Sequence, residues 1–204
     1  MNFIVKSTLR QGQLSAQWAK RLFDVIGAAG GLIAFSPVMA LIAVTILLDD
    51  GRPIFFRQQR LGRERRLFSI IKFRSMREGS VTRVGRLLRA TGLDELPQFL
   101  NILCGEMSAV GPRPLTESDV VRLGWEERRY DFRWRVAPGL TGLAQVIGAS
   151  SSRRSASLDR YYVARRGLSL DVRLVAVSFA INALGKTRVR QRLQTIAQDY
   201  PKRH

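Results

Sequence analysis

A chain of 204 residues, 46% hydrophobic and 25% charged, is long enough for one ordinary domain with a buried core, or for a smaller domain plus a membrane element. Its 34 basic against 16 acidic residues give a net charge of +18, a surface that seeks nucleic acid, anionic lipid headgroups or phosphorylated substrates. A single cysteine, Cys104, excludes an internal disulfide framework, and the only histidine, His204, ends the chain, which argues against a zinc cluster and histidine acid–base catalysis.

The chain divides into a basic N-terminal segment (1–17), a membrane element (18–50), a catalytic domain (51–185) and a basic tail (186–204). From Leu22 to Leu48 the sequence is almost continuously apolar, broken only by Asp24. Ser36-Pro37 sits in its middle, where proline removes a donor; hydrocarbon tolerates that break only if Ser36 or packed protein re-satisfies the freed carbonyl. Both flanks are basic, with Lys6, Arg10, Lys20 and Arg21 before the run and Arg52, Arg57, Arg60, Arg63, Arg65 and Arg66 after it. The positive-inside rule places both ends on the cytoplasmic side. The stretch before Ser36 makes a helix of roughly 21 Å, short of a hydrocarbon core of about 30 Å. These features predict a re-entrant hairpin, helix–break–helix. A kinked single span is the main alternative; a cleaved signal peptide is opposed by the length of the run and by Leu47-Leu48-Asp49-Asp50 at its end.

After a turn at Asp50-Gly51-Arg52-Pro53, Ile54–Phe56 and Leu67–Ile71 read as strands joined by a Gly-Arg-Glu-Arg-Arg turn. Helical patterning resumes at Val84–Arg89 and after Pro97. Cys104 closes an apolar stretch and is expected to be a buried, inert thiol. Leu168–Leu184 predicts an amphipathic helix, lying on the membrane surface or packed on the core. The fold class expected is α/β with mostly helix: the N-terminal hairpin and a compact cytoplasmic catalytic domain with amphipathic interfacial helices.

The segment with most chemical content is Leu93-Asp94-Glu95-Leu96-Pro97-Gln98. Proline is tolerated in the first turn of a helix, so Asp94 or Glu95 is expected at the start of a helix running towards Gly105. Free N–H groups there suit phosphate, although a carboxylate at that place can simply be an N-cap. Basic residues surround the pair: Lys72 and Arg74, then Arg86 and Arg89. Arg113 is held between Pro112 and Pro114, which restrict the backbone around one guanidinium and favour a grip on an oxyanion. Pro138-Gly139-Leu140-Thr141-Gly142 is a turn-rich loop that could bring backbone amides near a phosphate. A hard ion such as Mg²⁺, held by carboxylates and substrate phosphates, suits this inventory. A carboxylate nucleophile attacking phosphorus gives an acyl phosphate that a second acceptor can discharge.

Taken together, Lys20–Asp24, Ser36-Pro37, Phe56–Gly62, Lys72–Met76, Leu93–Gln98, Val110–Pro114, Pro138–Gly142 and Asp159–Val163, in that order, closely resemble the bacterial sugar transferases, the monotopic phosphoglycosyl transferases. The resemblance covers about Trp18 to Leu184. It implies a re-entrant helix broken at Ser36-Pro37, an Asp94–Glu95 dyad with Mg²⁺ as the cofactor held by both, and a place on the cytoplasmic face of the bacterial inner membrane. It implies a UDP-sugar and a polyprenyl (undecaprenyl) phosphate as substrates, with anionic lipids as partners, no nucleic acid, and a homodimer left open. Asp94 would attack the sugar-linked phosphate and expel UMP; the lipid phosphate would then take the phosphosugar, initiating surface glycan or exopolysaccharide synthesis. Glu95 would handle protons or the metal, while Lys72, Arg74, Arg89 and Arg113 would bind phosphates. Asp171 matches a late acidic position of the family pattern.

Two departures stand out. Only about seventeen residues separate Met76 from Asp94, a shortened loop, and Gly148–Arg154 differs from the Asn-Gly-Arg pattern common among relatives. No multi-span region precedes the motifs, so the small, minimal form is expected. The rival readings are a membrane-tethered basic nucleic-acid-binding protein, which would need an aromatic stacking face or recognition helix, and a catalytically silent scaffold of the same fold.

Overall fold

The computed structural model describes residues 2–184, with side chains from 17 to 182. The side chains of Lys6 and Arg10 fall outside that range, and the basic tail with His204 lies outside the described residues. The chain is a mostly helical α/β structure in which one long N-terminal helix, α1 (Asn2–Asp50), lies against a domain of short helices and two-stranded sheets.

The expected helix–break–helix takes a different local form: the backbone stays helical through Pro37. The reason lies four residues upstream. Proline leaves the Ile33 carbonyl without its usual donor, and the Ser36 hydroxyl donates to that oxygen at 2.8 Å. The stretch Gln17–Asp50 is long and apolar enough to cross a membrane, and only 11% of its most apolar window is buried. Leu22, Ile26, Ile33, Leu41, Val44 and Leu48 are exposed along it.

The stretches on both sides of Pro37 dock on the same domain. On the N-terminal side Ala28 packs with Phe68, Ile70, Ile102 and Met107. On the other, Ile42 and Ile46 pack with Phe73, Leu88 and Leu96. Each such fully buried aliphatic or aromatic side chain contributes about 1.5–3 kcal/mol. Phe99 touches both groups and rests on Gly31, where a methyl group would sit 2.9 Å from its ring. Charges reinforce the docking. Lys20 donates to Asp171 at 2.7 Å, the Asp24 carboxylate accepts from the Ala109 amide at 3.0 Å, and Arg21 donates to the carbonyls of Ile102 and Leu103 at 2.6 and 2.7 Å.

Strands β1 (Phe55–Leu61) and β2 (Leu67–Phe73) form an antiparallel hairpin, longer than the sequence patterning predicts, with Phe56 opposite Lys72 and Arg60 opposite Phe68. β3 (Met76–Arg77) and β4 (Ser80–Val81) make a small hairpin within the shortened loop, ahead of α2 (Arg83–Thr91). A 3-10 turn, Leu93–Glu95, leads into α3 (Gln98–Cys104), whose Asn101 serves as a staple. Its amide donates to Ser69 O at 2.8 Å and its oxygen accepts from Ile71 N at 3.1 Å, so α3 satisfies the backbone of β2. Cys104 departs from expectation: it is exposed, because only one side of this short helix is covered.

β5 (Ser108–Val110) pairs in parallel with β6 (Gly139–Thr141), and α4 (Glu117–Leu123) and a 3-10 segment, Arg128–Arg135, lie between them in the chain. α5 (Leu143–Ile147), α6 (Ser152–Arg165) and α7 (Leu168–Leu184) complete the domain. α7 has the predicted bounds and packs on the core through Asp171, Leu174 and Ile181, leaving Leu168, Val172 and Phe179 exposed.

Candidate active site

A cleft of about 1500 Å³ opens between the β1–β2 hairpin, the Asp94–Glu95 turn and the Arg113 loop. Alternation along the hairpin builds one wall. Phe68 and Ile70 face the core, and Lys72, next on the same face, emerges where the core gives way to the cleft. Across from it, Gln58 and Arg60 line the same wall. The opposite flank is apolar and comes from α1, through Phe23, Ala28, Gly31, Ala34 and Phe35.

Asp94 and Glu95 both line the cleft, on the 3-10 turn that follows the left-handed Gly92. Pro97 takes the N-cap place of α3, with no side-chain cap bond, so the carboxylates stand ahead of the helix rather than capping it. Glu95 accepts from the Lys72 ammonium at 2.5 Å. Burial, then the neighbouring Glu95 charge, push the Asp94 carboxyl above the ordinary range, while Lys72 and Arg89 pull it back. Two adjacent carboxylates of which one is destabilised as an anion form a place that welcomes a cation.

The Arg113 loop matches its expected character: Pro112 and Pro114 are buried, while Arg113 is exposed and lines the cleft. The loop is pinned on several sides. Gly139 N donates to Pro112 O and Gly111 N to Thr141 O, both at 2.9 Å. This approach needs glycine, since a Cβ on Gly139 would lie 2.0 Å from Gly111 N, and one on Gly142 would lie 2.2 Å from Gly111 O. The Gly139 amide is therefore committed to the Arg113 loop and not to a phosphate, a correction to the expected anion loop. Leu140 and Thr141 still line the cleft.

Arg74 also differs from expectation. Its guanidinium donates to the carbonyls of Asp50, Gly51 and Arg52 at 2.9, 2.8 and 3.0 Å and pairs with the Asp50 carboxylate at 2.9 Å. It borders the cleft, but its terminal nitrogens are occupied by the end of α1. Arg89 is exposed and lines the cleft as expected. Asp171 lies away from it, 0% exposed, between Lys20 and the Tyr162 hydroxyl, and holds α1, α6 and α7 together. Ser36 and Pro37 lie in α1 outside the cleft lining.

Arg60 is the cleft residue to which the sequence reading gave no role. Burial and the nearby Arg113 charge push its guanidinium down, against the pull of Asp119 and Glu95. It donates to Asp119 at 3.0 Å and to Gln58 at 2.6 Å. Although burial works the other way, bonds from Arg122 and Thr116, with the Arg60 charge, hold the Asp119 carboxyl down to about 2. The available signal was the two-residue spacing of Phe56, Gln58 and Arg60.

Among the described residues no group of three or more His, Cys, Asp or Glu side chains converges. The oxygen-only pair Asp94 and Glu95 fits a Mg²⁺ ion whose remaining ligands are water and substrate phosphate.

The model of the bacterial sugar transferase family matches the chain over residues 15–184. A UDP-N-acetylgalactosamine-undecaprenyl-phosphate N-acetylgalactosaminephosphotransferase of Aeromonas hydrophila is 39% identical over 175 residues, covering 76% of this chain and 41% of its own length. The exopolysaccharide production protein PSS of Rhizobium leguminosarum bv. phaseoli is 34% identical, covering 76% of this chain and 90% of its own. A UDP-glucose:undecaprenyl-phosphate glucose-1-phosphate transferase of Caulobacter vibrioides is 38% identical, covering 77% and 66%. The chain thus spans less than half of the Aeromonas protein and nearly all of the Rhizobium one. With the family pattern running from residue 15, within α1, to the end of α7, the chain belongs to the bacterial sugar transferase family.

Proposed function

We propose that the chain is a membrane-bound phosphoglycosyl transferase, which moves a sugar 1-phosphate from a UDP-sugar to polyprenyl phosphate. The observation that carries this reading is one cleft with a polar wall of Lys72, Arg60, Arg113, Asp94 and Glu95 and an apolar wall supplied by α1. A lipid phosphate needs both at once, and the Aeromonas and Caulobacter relatives are transferases to undecaprenyl phosphate.

An Asp94 carboxylate oxygen attacks the sugar-linked phosphorus, and the bond from that phosphorus to the bridging oxygen breaks, releasing UMP. The phosphosugar is left on Asp94 as an acyl phosphate. An oxygen of the lipid phosphate then attacks the same phosphorus, the bond to Asp94 breaks, and the carboxylate returns as polyprenyl diphosphosugar forms. Lys72, within bonding distance of Glu95, orients the dyad and offsets charge on the transferring phosphoryl group, with Arg113 and Arg89 at the cleft edge. Asp94 and Glu95 would hold Mg²⁺, which would supply positive charge to offset that of the phosphates.

The topology follows the same logic. Lys20, Arg21 and Asp24 dock the stretch of α1 before Pro37 on the domain, and Ile42, Ile46 and Asp50 dock the stretch after it. A helix that holds one domain on both sides of its proline has both stretches anchored on one side of a bilayer. This supports a re-entrant helix on the cytoplasmic face, whose change of direction falls within a continuous helix at Ser36-Pro37. Gln17→Cys and Asp49→Cys, each in a Cys104→Ser background, are both expected to be shielded from an impermeant maleimide in spheroplasts. Labelling of just one of them would mean a single span.

The activity is tested by UMP release from the purified chain with polyprenol phosphate, Mg²⁺ and a panel of UDP-sugars, beside Asp94→Asn. Release with a sugar of the panel and its loss in the variant are expected. Release that persists in Asp94→Asn would sink the covalent route, and no release with any nucleotide sugar would sink the reading.

A further inference from the structure

Behind the Arg113 loop, away from the Asp94–Glu95 dyad, is an ion pair for which the transfer chemistry gives no use. Arg133 and Asp159 face each other at 2.9 Å, with side chains 2% and 3% exposed. Taking two charges out of water is costly, and an apolar pair of the same volume often stabilises a fold as well or better. The pair therefore invites a reason other than stability. Arg133 stacks on Trp125, its guanidinium carbon 4.4 Å from the ring centre, and lies 5.7 Å from that of Trp134. With Asp159 along one edge and the indole beneath, the guanidinium has little freedom left. Its Nη2 then donates to one further group, the backbone carbonyl of Arg113, at 3.1 Å.

We propose that the buried Arg133–Asp159 pair is the positioning element for Arg113, fixing its guanidinium at the mouth of the cleft to grip the phosphates of a nucleoside diphosphate. The inference rests on the reading of the cleft as a nucleotide-sugar site and adds a residue pair that touches no substrate. Three features favour positioning over simple packing. Pro112 and Pro114 restrict the backbone on either side of Arg113 but do not aim its peptide plane; a donor fixed in space to the Arg113 carbonyl does. The void bounded by Pro112, Arg113, Arg133 and Trp134 is only about 10 Å³, about the room of one water, so little besides the guanidinium backs the loop. The other flank of the loop is held independently, by Leu61 N donating to Leu115 O at 2.8 Å. Arg133 thus acts on the one residue whose side chain must face the cleft.

The test is equilibrium binding of UDP to the detergent-solubilised full chain, with Arg113→Ala, Asp159→Asn and the double variant. Each single change is expected to weaken UDP about tenfold, the scale of one charge-assisted hydrogen bond, and the double variant to be no weaker than Arg113→Ala. In turnover, Asp159→Asn is expected to raise the UDP-sugar KM about tenfold with kcat within about twofold, a split that general loosening of the fold would not give. Unchanged UDP affinity in Asp159→Asn, or losses that multiply in the double variant, would overturn the proposal. If Asp159→Asn does not fold, Arg133→Lys serves instead: a compact ammonium keeps the charge but cannot bond Asp159 and the Arg113 carbonyl together. The same loss of affinity is expected, and UDP binding at the native level would overturn the proposal. Asp94→Asn should still bind UDP, so a failure of the transfer chemistry leaves these arms readable. A native chain that does not bind UDP overturns the positioning role and the nucleotide-sugar reading together.

Discussion

Two groups of charges in this molecule are built from the same residue types and behave in opposite ways. Where α1 meets the domain, Lys20 and Asp171 are joined at 2.7 Å with the carboxylate 0% exposed, and Tyr162 closes the other side. In the cleft, Lys72 and Glu95 are joined at 2.5 Å, yet their side chains keep 18% and 30% of their surface in solvent. In the first group Lys20 keeps 24% of its side-chain surface in solvent, but the carboxylate has all its partners inside the protein and no room for others. The second can exchange a partner for a phosphate or a cation without exposing a buried charge. Solvent access, rather than distance, separates an ionic joint from an ionic tool.

The sharpest way to break that contrast is to remove the lysine from each. Lys72→Met is expected to lower kcat by about 10²–10³ with the melting temperature close to native, measured as UMP release and by thermal unfolding. Its residual activity should also lose its acid limb at higher pH, because Lys72 pulls the Asp94 carboxyl down and its loss lets burial and Glu95 push that group further up. Lys20→Met should do the reverse. It leaves Asp171 buried without its cation, a loss of about 3–5 kcal/mol in denaturant unfolding, with activity per folded molecule retained. A Lys20→Met protein of native stability would mean that the interface with α1 does not depend on its charges.

Next in size is Asn101→Leu. It strips partners from Ser69 O and Ile71 N at the edge of β2 and is expected to cost about 1–3 kcal/mol in the same unfolding measurement. The last comparison concerns the Arg133–Asp159 pair. Burial pushes the Asp159 carboxyl up to about 6 against the pull of Arg133. With the folded value above the unfolded one, the native state holds the extra proton between about pH 4 and 6. This group's contribution to stability therefore falls as pH rises through that window and is level above it. Asp159→Asn should flatten that part of the pH–stability curve, and an unchanged slope would mean that the carboxyl titrates as an ordinary one.

The residues of the site were legible where local chemistry confines them. Proline on both sides of Arg113, and Pro97 just after Asp94–Glu95, restrict the backbone within a few residues, and these groups line the cleft. Arg74 was misread because its partners, three carbonyls at the end of α1, come together only when that helix docks on β2. Cys104 was misread because an apolar run does not say which side of a seven-residue helix is covered. Asn101, Arg60 and the Arg133–Asp159 pair act across sequence separations of 26–59 residues, and no local pattern announces such meetings. The mostly helical α/β class and the bounds of α7 were legible because the apolar run that makes the helix is itself local.

Ser36 has a consequence for the order in which the molecule is assembled. The hydroxyl that answers the Ile33 carbonyl comes from the same turn of the same helix. The repair travels with the segment: it is present in water, among headgroups and in hydrocarbon alike, before the domain that follows it has been made. Helix α1 can therefore complete its backbone bonding without waiting for the domain that later docks on it, and its proline is no obstacle to entering the membrane first.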